Sequence, residues 1–284
     1  MSGKDFKTDL PVMLPSVRPA SGPDKFRFRF SLWYVFLIAA FCLLSTVVAH
    51  GAAESTQDSA LTVMLRWTPL LLKGFVFNLI ISFSAMALGT LIGTGLGLGQ
   101  ISPNSGLRKL SWFITQFFRN SPWLVLLFFA MFLLPFEIKI AGLSIPLPDW
   151  LKAIIGLSLP VMANVSEIVR GAIASIPSGQ WEAAESLAYT RSQTLWRIIL
   201  PQCIKRMLPP WMNLYAILTM ATVLASIVGV SEVMTLTGQA LAAEGGRPEL
   251  LAPFYSFVLL LFFAYCYPIA RWTIYLERKY GVIN

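Results

Sequence analysis

The sequence predicts an all-α polytopic membrane protein with about six transmembrane helices. Of its 284 residues, 56% are hydrophobic and only 13% are charged. A soluble domain carries about 25% charged residues, and here the apolar residues form long blocks separated by short polar segments. The net charge of +8 would suggest nucleic-acid binding in a soluble protein, but Lys and Arg also gather at the cytoplasmic ends of membrane helices. We therefore expect a lipid membrane and no nucleic acid as the environment of this chain.

The N-terminal part of the chain is expected to be additional to the main membrane domain. Residues 1–30 are polar, basic and broken by prolines, which predicts a disordered cytoplasmic tail. Residues 31–49 carry no charge and predict a first span. A secretory signal is the alternative, but its apolar region is usually about 7–15 residues long. We favour a retained helix followed by an outer loop, so that residues 31–69 form one extra unit.

The second and third spans show two internal features. Residues 74–107 carry no charge, and Gly89, Gly93 and Gly97 recur every four residues within them. This spacing places glycines on one helix face, where another helix can approach closely. A phosphate-binding loop is excluded, because no Lys-Ser/Thr follows and the G-x-G-x-x-G spacing fails. Pro122 interrupts the next apolar stretch and predicts a surface helix, a break and then a membrane segment.

The second half of the chain predicts three further spans. The fourth runs from Asp149 to Ile173, the fifth from Met207 to Ser231 and the sixth from Leu250 to Ala270. Outer loops are expected at residues 137–150 and 232–251. With the N-terminus inside, the predicted inner segments hold 17 of the 22 Lys and Arg residues. This asymmetry predicts that both termini and the polar segment 170–202 are cytoplasmic.

The polar segment has the features of a helix–turn–helix lying under the membrane. Pro177-Ser178-Gly179 is a turn that can start a helix, with Gly179 as N-cap and Glu182 at the third helical position. Several alanines make one face small, so that a partner surface can approach closely. Pro201 is expected to stop or bend the chain before the fifth span.

This segment resembles the EAA loop of ABC importer permeases. Glu182, Ala183 and Ala184 match its opening, and I-x-L-P at Ile198–Pro201 matches its close. Ala188 stands where that family usually has glycine, and a left-handed backbone would be disfavoured for it. The stretches Leu70–Leu79 and F-F-R-N-S-P are similar to the polar amino acid branch of these permeases.

The resemblance implies a type I ABC importer transmembrane domain over residues 70–284, with a cytoplasmic EAA coupling helix in the loop 177–202. It implies a separate dimeric ABC ATPase that binds ATP and Mg, a second identical or homologous permease, and a periplasmic solute-binding protein. The chain itself would be a multi-pass inner-membrane transporter subunit, with no catalytic residue, cofactor or metal of its own. The residues that the resemblance implies for ATPase coupling are Gly179, Glu182, Ala183, Ala184, Leu187, Ala188 and Pro201.

Candidate pathway residues are the polar side chains of the fourth and fifth spans. Glu167 is an acid near a span and is a functional candidate, although pairing with Arg170 would give it a structural role. Three widely spaced cysteines and a single histidine predict no metal site. The alternatives are a permease for another small solute, a secondary transporter or channel, and a membrane scaffold. The candidates for the solute pathway are Asn164, Glu167, Asn213, Thr219 and Thr222.

Overall fold

The computed structural model describes residues 59–140 and 143–280, and most of these are helical. The predicted tail and first span, residues 1–49, lie outside the described residues. A π-helical turn (Leu195–Ile199) follows the short helix Arg191–Thr194, and a 3₁₀ turn (Thr222–Ser226) follows the helix Leu200–Ala221. The elements in chain order are α1 (Ala60–Gln100), α2 (Ser105–Arg119), α3 (Trp123–Leu133), β1 (Glu137–Ile140), β2 (Leu143–Pro146), α4 (Asp149–Ala174), α5 (Ser178–Ser186), α6 (Arg191–Thr194), α7 (Leu200–Ala221), α8 (Val233–Ala243) and α9 (Pro248–Tyr280).

Up to five membrane spans are present in the described part of the chain. Helices α1, α4 and α9 and the continuous helical segment Arg191–Ser226 are each long and apolar enough to cross a bilayer. Helices α2 and α3 pass the same test only as a pair, and they are bent by 104° at their junction. Pro122 is the N-cap of α3, because proline has no N–H to donate and fits at a helix start. The predicted break at Pro122 is confirmed.

Helix α1 is longer than the sequence predicted. It begins at Ala60, where the Ser59 side chain accepts a hydrogen bond from the Thr62 N–H. Residues 60–71 were assigned to an outer loop, so the predicted boundary between residues 69 and 70 falls inside a helix. The apolar face of this first part is buried, and Val63 and Leu71 belong to the same cluster as Leu250 of α9. Burial of this apolar face stabilises the helix. In the sequence, the charged residues of the segment had favoured a loop.

Helix α4 is the centre of the bundle. Within its most apolar stretch 72% of residues are buried, against 33–39% for the other three single-helix spans. The predicted glycine face of α1 packs directly on it. A Cβ added at Gly89 would lie 2.5 Å from Val161 Cγ1, and one at Gly97 would lie 2.7 Å from Val169 Cβ. Any larger residue would therefore separate the two helices.

Two of the segments that the sequence predicted as loops contain regular secondary structure. Strands β1 and β2 pair antiparallel, with Glu137 opposite Pro146, and α8 occupies part of the predicted loop 232–251. Lys152, in the first turn of α4, is fully buried. Its Nζ lies 3.6 Å from Asp149 Oδ1 and 3.7 Å from the centroid of the Phe136 ring. A carboxylate and an aromatic face together compensate this buried cation.

Two glycines of α1 provide a matched test of the helix contact. An added Cβ at Gly93 would clash with the Met162 carbonyl oxygen, whereas one at Gly95 has no atom within 4 Å. Gly93→Ala is expected to destabilise the fold by about 1–3 kcal/mol through overpacking. Gly95→Ala is expected to be neutral or stabilising, because alanine favours the helix. Thermal unfolding in detergent measures both; equal unfolding midpoints for the two variants would contradict the close contact.

Candidate functional site

The predicted coupling segment forms a short helix, α5, that follows α4 after three residues. Its N-cap is Pro177, which provides no side-chain hydrogen bond. Gly179 is therefore an exposed residue inside the first turn, and Glu182 is the fifth helical residue. The expectation that Gly179 caps the helix with Glu182 at its third position is wrong, because Pro177 already has the extended backbone that precedes a helix.

Helix α5 has one face on the body of the protein and one face free. Ala184 is only 2% exposed, whereas Glu182 and Ala183 are exposed. Leu187, at the C-terminal end, is 72% exposed. We expected Ala184 to contact a partner, but its side chain is buried against the rest of this chain. Trp181 packs against the main core cluster from the same helix, so Ala184 and Trp181 attach α5 to the body.

Ala188 has a left-handed backbone, with φ of 57°. The Tyr189 N–H donates to Ala184 O at 3.1 Å, and the Ala188 N–H donates to Glu185 O at 2.9 Å. This pair of bonds is the Schellman ending of a helix, in which glycine is the usual residue. The structure thus shows a left-handed backbone at the position where the resemblance led us to expect glycine. An alanine there costs about 1–2 kcal/mol relative to an ordinary backbone.

The chain then enters a second helix without a break before α7. Thr190 caps α6, with Gln193 completing a reciprocal capping box. The Leu200 N–H donates to Leu195 O in the π-helical turn, which immediately precedes the exposed Pro201. Since proline cannot donate to the carbonyl four residues earlier and its ring crowds that carbonyl, the wider turn accommodates it. Of the two outcomes expected for Pro201, a stop or a bend, the structure excludes the stop, because the helix continues through it.

Three of the five pathway candidates line one cavity of about 640 Å³, which we call the pathway cavity. They are Asn164 and Glu167 of α4 and Asn213 of α7. Arg119, from the end of α2, and Arg206, from α7, line the same cavity. The cavity therefore combines amide, carboxylate and guanidinium groups, and residues of four helices, α2, α4, α7 and α9, line it.

The Glu167 carboxylate is held by several donors. Arg170 Nη2 lies 2.7 Å from Oε2, and Arg119 Nη1 lies 3.5 Å from the same oxygen. Gln100 Nε2 donates to Oε1 at 3.2 Å. The ion pair between Glu167 and Arg170, which would give Glu167 a structural role, is therefore present. Glu167 also lines the pathway cavity. Arg206 donates to the carbonyl and hydroxyl oxygens of Ser175 at 2.7 and 2.8 Å, which ties α7 to the end of α4.

The other two candidates do not line the pathway cavity. Thr219 is fully buried and its hydroxyl donates to Tyr215 O at 2.9 Å. Thr222 is also fully buried, and its Oγ1 accepts a hydrogen bond from Asn78 Nδ2 at 3.0 Å. Both hydroxyls are therefore used inside the helix packing.

Sequence reasoning missed a buried carboxylate, Glu232, which lies in the predicted outer loop and is 0% exposed. Its Oε1 accepts from the N–H groups of Met234 and Thr235 and caps α8. Its Oε2 accepts from Asn78 Nδ2 at 2.8 Å, and Asn78 Oδ1 accepts from the Val233 N–H at 3.1 Å. An acid just before an apolar helical run is an N-cap signal that could have identified it.

Burial raises the pKa of the Glu232 carboxyl above its ordinary value of 4.5, and the donors from Asn78, Met234 and Thr235 offset this only in part. The described residues contain no group of three or more His, Cys, Asp or Glu side chains arranged to hold a metal ion.

Comparison with known proteins gives consistent matches over most of the chain. The sequence profile of the family described as "Binding-protein-dependent transport system inner membrane component" matches residues 89–281. The probable amino-acid ABC transporter permease protein YckA of Bacillus subtilis (strain 168) is 36% identical over 213 residues, covering 75% of this chain and 90% of that protein. The inner membrane amino-acid ABC transporter permease protein YhdY of Escherichia coli (strain K12) is 31% identical over 73% of this chain, which spans 56% of its length.

The fold also matches a solved structure. A crystal structure of an amino acid ABC transporter with histidines superposes with a TM-score of 0.66, covering 79% of this chain and 100% of that chain. The two sequences are 23% identical, so the likeness concerns the fold. It agrees with the type I importer transmembrane fold expected above.

The left-handed position gives one test. Ala188→Gly should stabilise the end of α5 by about 1 kcal/mol, because glycine adopts this backbone without steric cost. Hydrogen exchange at the Tyr189 amide, which closes the Schellman ending, should slow by about fivefold. Ala183→Gly, in the exposed middle of the same helix, is the control and should speed exchange, since glycine there costs about 0.5–1 kcal/mol. Faster exchange in Ala188→Gly would contradict the backbone assignment.

The buried carboxylate of Glu232 gives a second test. Because its pKa is higher in the folded chain than in the unfolded one, the free energy of unfolding should fall as pH rises above the ordinary value of 4.5. Glu232→Gln should remove this part of the pH dependence. It should also cost about 1–3 kcal/mol at low pH, because an amide leaves one of the surrounding donors without an acceptor. Thermal unfolding over pH measures both effects, with the exposed Glu185→Gln as control; an unchanged pH profile in Glu232→Gln would count against the assignment.

Proposed function

The chain belongs to the family of binding-protein-dependent transport system inner membrane components, and on that basis we propose that it is the permease of an ATP-driven importer for a polar amino acid or a close derivative. The sequence contains no G-x-x-x-x-G-K-[ST] motif, so ATP is hydrolysed by a separate ATPase dimer. Relatives named amino-acid ABC transporter permeases support the amino acid class. A permease for another small solute is the alternative.

The observation that carries this proposal is the arrangement of α5. Its buried Ala184 attaches it to the body, while the 72% exposed Leu187 and the exposed Glu182 and Ala183 face away. An apolar side chain projecting from a polar loop is suited to enter a groove on a partner. The loop 177–202 is short and joins two spans directly, so closure of the ATPase dimer would move α4 and α7 together.

The pathway cavity supports a polar solute. Glu167 and the guanidinium of Arg119 lie on the same cavity as Asn164 and Asn213, and an amino acid carries both an ammonium and a carboxylate. Opposite charges and amides can replace the water that these groups lose on leaving solution. Thr219 and Thr222 are buried outside the cavity, so we assign them to helix packing and not to solute contact.

The remaining organisation is part of the same proposal and is supported by the charge distribution of the sequence. We place both termini and the loop 177–202 in the cytoplasm, with residues 1–30 as a tail and residues 31–59 as the extra helix and its connection. The permease domain then starts at Ala60, where α1 begins. A second permease, identical or homologous, and a periplasmic solute-binding protein complete the importer. The binding protein's ligand identifies the solute: a sugar or a metal ion there would replace the amino acid assignment.

Leu187 provides the test of coupling. Leu187→Asp should weaken association with the cognate ATPase about tenfold or more, because burying a leucine side chain contributes about 1.5–3 kcal/mol. Uptake into proteoliposomes should fall with it. Ser186→Asp adds the same charge at the neighbouring exposed position and is the control. If Leu187→Asp retained normal ATPase binding and uptake, α5 would not be the coupling element.

Asn213 provides the test of the pathway. Asn213→Leu removes an amide from the cavity and should reduce solute uptake about tenfold while the ATPase subunit still binds. Gln239→Leu, at an exposed amide of α8 that does not line the cavity, is the control. Equal uptake by the two variants and the unmodified chain would remove this cavity from the solute route.

A further inference from the structure

A second cavity, which we call the loop cavity, has no role in the function proposed above. It has a volume of about 1080 Å³ and lies between the loop helices and the nearby ends of α1 and α4. It shares no lining residue with the pathway cavity. Trp181 of α5 and Leu195 of the π-helical turn form one side, and Leu98 and Ile101 at the end of α1 form another. The loop cavity is therefore positioned where the coupling loop meets the spans.

The lining combines an apolar surface with positive charge. Besides the residues just named, Ile173 and Ile176 contribute aliphatic surface. The charged side chains are Arg170 and Arg191, and none of the lining residues is acidic. Arg170 is already paired with Glu167, but no ion pair of Arg191 is present in the described part of the chain. The pathway cavity differs, since both Glu167 and Glu277 line it.

A second, independent observation is the unpartnered amide oxygen of Gln100. Gln100 lines the loop cavity and is only 6% exposed. Its Nε2 donates to Ser166 Oγ at 2.9 Å and to Glu167 Oε1 at 3.2 Å. Its Oε1 is buried and has no hydrogen-bond partner among the described residues. Buried amide oxygens nearly always accept a hydrogen bond, so a donor from outside the chain fits here.

We infer that the loop cavity binds one anionic phospholipid from the leaflet on the side of the coupling loop. The phosphate lies near Arg191 and Arg170, a headgroup hydroxyl donates toward Gln100 Oε1, and the start of the acyl chains lies along Leu98 and Ile173. Basic pockets at the cytoplasmic ends of membrane helices attract anionic headgroups in this way. The leaflet assignment rests on the proposed orientation; the binding itself does not.

Such a lipid would connect elements that otherwise meet loosely. It would contact Trp181 of α5, Arg191 of α6 and the end of α1 at once. A ligand bound across these three elements stabilises their relative arrangement by its binding free energy. The lipid would therefore stiffen the attachment of the coupling loop without touching the solute route.

Native mass spectrometry of the purified full-length chain, released from nanodiscs, tests this inference. In nanodiscs that contain phosphatidylglycerol and phosphatidylcholine, the unmodified chain should retain one phosphatidylglycerol per chain in preference to phosphatidylcholine. Arg191→Gln should lower that retention by about fivefold, as expected for the loss of one basic group. Arg197→Gln, an exposed arginine of the same loop outside the cavity, is the control and should retain the lipid.

A second variant tests the cavity by volume instead of charge. Gly95 lines the loop cavity and has no atom within 4 Å of an added Cβ, so Gly95→Leu should fold and reduce lipid retention. Gly238→Leu is the control, because Gly238 also has open space around it but lies on α8. Normal retention in both Arg191→Gln and Gly95→Leu would overturn the inference.

A separate experiment distinguishes a phospholipid headgroup from a soluble phosphate as the bound anion. Soluble glycerol phosphate at millimolar concentration should not displace the retained lipid; displacement would show a headgroup site that does not require a lipid, and would overturn the lipid assignment. The measurement needs no ATPase, ATP or solute. A negative result for lipid binding would therefore leave the importer proposal intact. The importer proposal is tested separately, by ATPase binding and uptake in Leu187→Asp.

Discussion

The close contact of α1 with α4 is the constraint on which the rest of the structure depends. Because the glycines on this face of α1 have no side chain, the α1 backbone can approach Val161, Met162 and Val169 of α4 closely. Without a hydrophobic driving force between helices in lipid, such close packing is a main source of their association. This contact buries α4 deeply, and α4 in turn carries Glu167 and leads after three residues into α5. The position of the pathway cavity and of the coupling loop therefore both follow from one glycine face.

Features determined by local chemistry were predictable from the sequence. The bounds of α4, the break at Pro122 and the packing role of Gly89 and Gly97 follow from charge, proline geometry and glycine spacing. The α5 helix was found where its alanines predicted it. These features depend on a few neighbouring residues, so the pattern alone contains the information.

Three features that depend on how distant segments dock were not predictable. The first part of α1 looked like a loop because Arg66 and Lys73 interrupt its apolar residues, yet its apolar face packs on α9. Ala184 looked equivalent to Ala183, but the direction in which α5 docks makes one buried and the other exposed. Glu232 looked like a loop acid, because nothing near it in sequence shows that Asn78, 154 residues away, donates to it. Each outcome depends on a partner that is distant along the chain.

The chain is helical without interruption from Arg191 to Ser226, and this continuity has a mechanical consequence. The segment Arg191–Ser226 is one helical rod of 36 residues, or about 54 Å at 1.5 Å per residue. The first part of this rod belongs to the loop 177–202, and near the other end the Thr222 hydroxyl accepts a hydrogen bond from Asn78. Over such a lever arm, a tilt of about 5° displaces the far end by roughly 5 Å. The π-helical turn Leu195–Ile199 lies within the loop 177–202, so bending at this turn would leave the longer part of the rod, from Leu200 to Ser226, to move as one unit.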